Sequence, residues 1–272
     1  MNRKMTLLLL LFSLAFSSCE DVVSIDTNTS EPKLVVDASI LWHKGFNGES
    51  QIIRLTTSTA FYDETVPMAS GATVSISNSS GETFVFKEGN KYPGVYICSS
   101  FNPELWENYT LTIKYKGEIY TAMETMYPVP DLLYTTQEIG GLSGTSPIIK
   151  AFFKDSGDEE NFYMHRFSRE EKRPQSAVFD DVFVNGNETF TVRFYDELPQ
   201  GEEINIELMG ISKRYYNYMM KVYSTVSETN VGPFEVSPAE LNGNVVNQTN
   251  PDNTAYGYFR LSEVSQITHT AE

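Results

Sequence analysis

Tyr109-Thr110-Leu111-Thr112-Ile113-Lys114-Tyr115-Lys116-Gly117-Glu118-Ile119-Tyr120-Thr121-Ala122-Met123 is the stretch that decides the fold class. Tyr109, Leu111, Ile113 and Tyr115 alternate with polar residues, and Ile119, Thr121 and Met123 alternate again beyond Lys116-Gly117. A period of two belongs to a strand, whose successive side chains point to opposite faces. Two such runs joined by a two-residue Lys-Gly turn read as a tight β-hairpin.

The same pattern extends in both directions. Upstream, Leu34 to Ile40, Gln51 to Thr57, Ala72 to Ser77, Thr83 to Lys87 and Gly94 to Cys98 are short alternating runs separated by turn residues such as Asn78-Ser79-Ser80-Gly81. With the hairpin they make seven strands, which suits an immunoglobulin-like sandwich over residues 33–126. Tyr127-Pro128-Val129-Pro130-Asp131 ends this block, because two prolines so close cannot sit in a central strand. A second block, 132–272, resumes with strand-like runs, among them Thr189 to Tyr195 and Glu203 to Leu208. It contains one segment of another period: Tyr215, Met219, Val222 and Val226 predict a helix over 212–229, with Ser212 as its N-cap. Tyr216, Tyr218 and Tyr223 widen its apolar stripe, for core packing or for a partner. Tyr256 to Leu261 then reads as a late strand returning to the sheet. The expected fold is mainly β: an N-terminal immunoglobulin-like β-sandwich at 33–126, a Pro linker at 127–131, and a second β-rich domain with one helix at 132–272.

Composition supports a packed chain. Of 272 residues, 40% are hydrophobic and 21% charged, enough apolar side chain for a core and too little charge for a disordered chain. Against 36 acids stand only 20 Lys and Arg, a formal net charge of -16, which leaves no excess of cations to neutralise nucleic-acid phosphates.

The first residues are a targeting signal. Arg3 and Lys4 precede the apolar stretch Leu7 to Phe16, which is too short to remain as a membrane span. Phe16-Ser17-Ser18-Cys19 resembles a bacterial lipobox, departing from it at Phe16 where Leu is usual. Residues 1–18 are therefore expected to be cleaved as a lipoprotein signal peptide, with Cys19 the lipid-attachment residue. More than one acyl chain on Cys19 makes a stable anchor. Residues 19–32 then form a polar, turn-prone tether, and an acidic body repelled by anionic headgroups stands off the bilayer on it. Glu20-Asp21, just after the cysteine, resembles the surface-export signal of Bacteroidetes lipoproteins.

A family resemblance runs through nearly the whole mature chain. It is carried, in order, by Ser18-Cys19-Glu20, Glu31-Pro32-Lys33-Leu34-Val35-Val36, Val66-Pro67 with Gly71-Ala72-Thr73-Val74, and Pro93-Gly94-Val95-Tyr96. It continues through Tyr109-Thr110-Leu111, Asp180-Asp181-Val182-Phe183-Val184-Asn185-Gly186, Ser212 with Tyr215-Tyr216-Asn217-Tyr218, Gly232-Pro233-Phe234 and Gly257-Tyr258-Phe259. The chain resembles the Bacteroidetes lipoprotein family known as domain of unknown function 4249, and departs from it in the Asn-rich loop Asn247 to Asn253. The resemblance implies an outer-membrane lipoprotein, often encoded beside a TonB-dependent receptor, with no established activity and no active-site residue to carry over.

Candidate chemistry is sparse. His43, His165 and His269 lie far apart in sequence without a ligand at metal spacing, so no metal or cofactor is expected. Ser30-Glu31-Pro32-Lys33 matches a hydrolase pattern only in the tether, and Gly140-Gly141-Leu142-Ser143-Gly144 misses the offsets of a nucleophile elbow. Asp155-Ser156-Gly157-Asp158-Glu159-Glu160 lacks the spacing of a calcium loop and reads as a solvated hairpin tip. Asp180 and Asp181 are adjacent strand residues pointing to opposite faces, which does not suit paired carboxylate catalysis. Cys98, alone once Cys19 is lipidated, reads as a small buried hydrophobe. Trp42 and Trp106 are either loop-borne binding residues or core indoles. The function expected is that of a non-catalytic surface lipoprotein, the accessory or binding partner of a TonB-dependent transporter in nutrient capture. The alternative is a structural or adhesive cell-surface protein.

Overall fold

In a computed structural model, which describes residues 31–60, 63, 65–141, 144–226 and 241–272, the first block forms seven strands in succession. They are β1 (Leu34–His43), β2 (Gln51–Thr57), β3 (Thr73–Asn78), β4 (Thr83–Gly89), β5 (Tyr92–Cys98), β6 (Asn108–Tyr115) and β7 (Glu118–Tyr127). Then come β8 (Leu132–Gly140), β9 (Ser146–Lys154), β10 (Phe162–Arg169), β11 (Gln175–Asp180), β12 (Glu188–Phe194) and β13 (Glu203–Gly210). The helix α1 (Lys213–Val226), the short β14 (Val246–Asn247) and the long β15 (Tyr256–Thr270) complete the described chain, which is mainly β. The helix was expected over 212–229, of which 227–229 lie outside the described residues. Among the described residues, no helix is long and apolar enough to cross a membrane.

The opening hairpin forms around Lys116 (φ 48°) and Gly117 (φ 82°), both left-handed as a type I′ turn requires. This turn pairs Tyr115 with Glu118, Ile113 with Tyr120 and Leu111 with Ala122. Paired residues share a face, so Tyr120, Ala122 and Met126 enter the core while Ile119 and Met123 face outward. The alternating set Ile119, Thr121 and Met123 is thus the outer face of β7. At the start of β6, the Tyr109 hydroxyl donates to Asn102 O (3.0 Å) and accepts from Glu104 N–H (2.9 Å), fixing the corner that leads into the strand. Burial pushes this phenol up to about 12, so it remains a donor.

The two blocks repeat one strand order. In the first, β1-β2-β5 continues, through hydrogen bonds between β5 and β4, into β4-β3-β6-β7; in the second, β8-β9-β12 is a sheet apart from β11-β10-β13-β15. Each is first-second-fifth against fourth-third-sixth-seventh, with α1 and β14 inserted before the last strand of the second set. A core fills each pair of layers. The first includes Ile40, Ile53, Leu55, Ile76, Tyr96 and Leu111, and the second Ile149, Phe153, Tyr163, Ile204, Ile206 and Leu208.

β15 belongs to both sets. Residues 256–264 pair in parallel with β1, and 264–270 pair antiparallel with β13. Leu261 and Ser262 also pair with β7, which closes the first set into a ring of hydrogen-bonded strands. Phe259 and Leu261 enter the first core, Ile267 packs on the second, and Tyr258 and Val264 point the other way into a third core beneath α1. The proline segment 127–131 is bound to this strand, because Glu263 Oε2 accepts from Val129 N–H (2.9 Å) and Ser265 Oγ accepts from Leu132 N–H (2.8 Å). Residues 32–272 accordingly form one compact unit.

A buried carboxylate adds a second tie between the sets. Glu207 on β13 accepts from His43 of β1 (3.1 Å) and from Arg166 of β10. Burial pushes Glu207 up, but the hydrogen bonds from His43 and Arg166 outweigh it and bring the carboxyl down to about 2. Its contribution to stability is complete above the ordinary carboxylate value and is lost as the pH falls toward that lowered one.

Gly257 lets β15 lie against β1. Its φ is +87°, and a Cβ there would stand 2.0 Å from Val36 O. Gly257→Ala should cost about 3 kcal/mol or more in urea unfolding, from strain plus a backbone clash. Gly117→Ala, also at positive φ (+82°) but facing open space, should cost only about 1 kcal/mol. Equal losses for the two would contradict this packing.

Candidate functional site

Asp155 is where the structure departs from the expected solvated tip. Ser156 to Glu160 are exposed, but Asp155 is buried. It accepts from the Tyr163 hydroxyl and, through Oδ2, from Gly186 N–H (2.8 Å). Burial, and then this bond to Asp155, raise the Tyr163 phenol above its ordinary value. A buried carboxylate needs such donors, and here it uses them to anchor the loop between β11 and β12.

That loop, residues 181–187, is a tight turn. Asp181 O accepts from Val184 N–H (2.7 Å) and Asn185 N–H (2.9 Å), and Asn187 N–H donates to Val184 O (2.8 Å). The Asp181 side chain, buried, accepts from Asn161 N–H (2.9 Å). Asp180 ends β11 and Asp181 opens the turn, so the pair are not adjacent strand residues as expected; Asp180 accepts from the Tyr216 hydroxyl of α1 (3.2 Å) while Asp181 binds Asn161, and the two carboxylates engage different partners. Gly186 takes φ +74°, and its Cα packs against Gly157 so closely that a Cβ on either glycine would fall about 3.1 to 3.2 Å from the other. Two buried aspartates and a glycine contact therefore hold the turn rigidly.

What the turn displays is apolar. Phe183 is 95% exposed and Val182 62% exposed. Apolar surface costs free energy in water, so an exposed phenylalanine held outward by a hydrogen-bonded turn is a candidate contact residue. In the sequence Val182 and Phe183 belong to the family pattern, and nothing local announces their exposure, because an apolar pair beside a strand reads as buried.

A groove of about 650 Å³ runs along α1, lined among others by Lys213, Arg214, Asn217, Tyr218, Lys221 and Asn244. Ser212 caps the helix, its Oγ accepting from Tyr215 N–H (3.1 Å) and donating to the buried Glu124 of β7 (3.0 Å). Arg214 (3.3 Å) and the Tyr258 hydroxyl (3.4 Å) meet the same carboxylate. Tyr215 packs edge-on to Tyr258 with centroids 4.9 Å apart, and Tyr216 packs on Phe162 at 5.1 Å. Most of the helix's aromatic stripe is thus spent on packing. Lys213 spans the groove and the acidic loop through Glu160 (3.0 Å). Cations and amides of this kind bind polar groups.

The remaining candidates lie apart. Cys19, Glu20 and Asp21 fall outside the described residues. His43 binds Glu207, His165 binds Thr191, and His269 binds Thr135 (2.9 Å) and Gln137 (3.0 Å). Among the described residues no group of His, Cys, Asp or Glu is arranged to hold a metal ion. Cys98 is buried in the first core. Trp42 packs against that core with its Nε1 donating to Phe46 O (2.8 Å), whereas Trp106 is half-exposed and edge-on to Tyr127.

The description "Domain of unknown function (DUF4249)" belongs to the family model that matches residues 20–268, the 181–187 turn included. The chain is a member of this family. No curated protein matches it. Among solved structures, a two-domain fibronectin type III segment of chicken tenascin is 13% identical and covers 66% of this chain and 90% of its own, with a TM-score of 0.22. A DUF4785 family protein of Legionella pneumophila is 10% identical over 65% of this chain and 52% of its own, with a TM-score of 0.26. The FN1–FN3 domains of chicken CNTN1 are 13% identical over 66% of this chain and 60% of theirs, also with a TM-score of 0.26.

The turn separates support from display, and two substitutions resolve them. Asp181→Ala leaves the Asn161 N–H without its partner and should cost about 1–3 kcal/mol in urea unfolding. Phe183→Ser should change stability by no more than about 0.5 kcal/mol. A large loss from Phe183→Ser would mean that the side chain packs on the protein.

Proposed function

We propose that this DUF4249 protein is a non-catalytic outer-membrane lipoprotein, anchored through Cys19 and facing the cell exterior, that serves as the partner of a TonB-dependent transporter in nutrient capture. The observation that carries the reading is the rigid turn that holds Phe183 in water. An exposed aromatic on a pre-ordered turn loses little entropy when it enters a partner's pocket, and such residues dominate binding energy. The formal charge of -16 and the acids Asp158, Glu159 and Glu160 in the neighbouring loop favour a protein partner over an anionic lipid surface. The lipobox-like Phe16-Ser17-Ser18-Cys19 supports the anchor, and Glu20-Asp21 supports export to the surface. In the same reading β1–β7 is taken as an immunoglobulin-like sandwich followed by the second β-rich domain, a reading that the strand order and the Tyr109 corner support.

Purification of the tagged, lipidated protein from outer membranes in mild detergent tests this. A TonB-dependent receptor should co-purify in stoichiometric amount, and Phe183→Ser should reduce the yield about tenfold or more, the loss of a hot-spot side chain. A protein that comes down alone with its lipid intact would contradict the reading, and so would a receptor retained equally by the variant.

A further inference from the structure

The two strand sets differ at one edge. In the first, the fifth strand, β5, is hydrogen-bonded on its far side to β4. Its counterpart in the second, β12, pairs with β9 alone among the described residues and ends its sheet. Tyr195 N–H donates to Pro147 O (2.9 Å) and Asn187 O accepts from Asp155 N–H (3.0 Å), both toward β9 or the residue that follows it. Alternate residues of an antiparallel strand turn their backbone groups to opposite edges. Thr189, Thr191 and Arg193 therefore turn theirs to β9, as Tyr195 does, while Phe190, Val192 and Phe194 turn their N–H and C=O groups to the open side.

Native proteins blunt such edges with proline, lysine, a bulge or a covering element. β12 reads Glu188-Thr189-Phe190-Thr191-Val192-Arg193-Phe194, without proline, glycine or lysine, and its register with β9 runs unbroken. Arg193, its one cation, shares the face of the buried Thr191. The other strands that end a sheet are engaged or short. β8 meets Ser265 and His269 of β15 through Leu132 and Thr135, β11 meets Tyr216 of α1 through Asp180, and β14 has two residues.

The outward side of β12 is apolar, with Phe190 42% and Phe194 53% exposed. Phe190 continues a row of rings across the sheet, in which Tyr134 stacks on Phe152 (4.5 Å) and Phe152 tilts on Phe190 (5.3 Å). A strand added beyond β12 would set its outward side chains next in that row and beside Val192 and Phe194, the cross-strand contacts that stabilise sheets. Both ends of β12 are acidic, with Glu188 at one and Asp196 and Glu197 just past the other, all exposed. They complement cations at the ends of an added strand. Pairing two copies of β12 would instead set acid beside acid, on bodies of formal charge -16 each. We propose that β12 is a docking edge that takes an extended segment of a partner protein as an added strand, with apolar residues at alternate positions and a Lys or Arg at each end. The main chain supplies affinity, and Phe190, Val192 and Phe194 select the apolar residues. The edge goes beyond the transporter partnership and does not depend on it, since a peptide reads it on the protein alone.

The probe is the end-capped, fluorescent heptapeptide Lys-Val-Thr-Val-Thr-Val-Lys, followed by anisotropy with the full chain in detergent. It should bind saturably, and the same peptide with Glu at both ends, or with Pro for its central Val, should bind about tenfold more weakly or worse. Val192→Pro removes an N–H that β9 does not use, so the variant should keep its cooperative unfolding transition and bind the peptide about tenfold more weakly. Phe194→Lys, at an exposed side chain, should leave the melting temperature unchanged and weaken the peptide about fivefold or more. No binding, equal binding by both variants, or equal affinity for the Glu-ended peptide would each overturn the proposal. So would sedimentation of the protein as a dimer that Val192→Pro dissociates, which would make a second copy the occupant of the edge.

Discussion

A strand with a neighbour on each edge has its backbone donors and acceptors committed in two directions, and β15 divides that commitment between the two halves of the protein. Its first part extends the β1 edge and touches β7, while its last part completes the layer of β13. Tyr258 to Ser265 are buried without a break, because one face meets the cores and the proline segment and the other meets α1. Stripping β15 away would open the first ring, expose the second core and release the Val129 and Leu132 amides held by Glu263 and Ser265. The helix is also seated by it, through Tyr258 and Val264. The two strand sets become one compact unit chiefly through this segment, with the Glu207 carboxylate bound by His43 and Arg166 as a second tie.

The hairpin turn, the helix and its Ser212 cap were legible in the sequence because each is a local signal: a turn dipeptide, a period, a capping hydroxyl. The inward face of β7 was not, since Ile119-Thr121-Met123 and Tyr120-Ala122 alternate equally well and only the register set by Lys116-Gly117 chooses between them. β15 was legible as a returning strand, but its double role was not. Arg260, Ser262, Glu263 and Ser265 interrupt any apolar pattern, and they are buried because their partners come from distant segments such as Ser39, Val129 and Leu132. Asp155 misled for the same reason, as one member of an acidic run whose carboxylate is needed by Tyr163 and Gly186. Phe183 shows the converse, an apolar residue whose exposure no pattern announces.

These features fit a single working logic. In the proposed function a lipid at Cys19 would hold the body near the membrane, and the unity imposed by β15 would keep the apolar turn at a fixed position on it. Recognition placed on loops of a rigid β scaffold gains from that fixity, because little ordering remains to be done on binding. The 181–187 turn is held by Asp155, just past β9, and by its own Asp181 bound to Asn161 before β10, so neighbouring loops of the scaffold fix the displayed residues.

The central claim is that β15 makes the two strand sets one cooperative structure, and hydrogen exchange followed by mass spectrometry across a urea series tests it most directly. Amides of β2 in the first set and of β9 in the second should lose protection in a single transition with one midpoint, together with those of β15. Two midpoints, with either set retaining protection after the other has exchanged, would contradict the account.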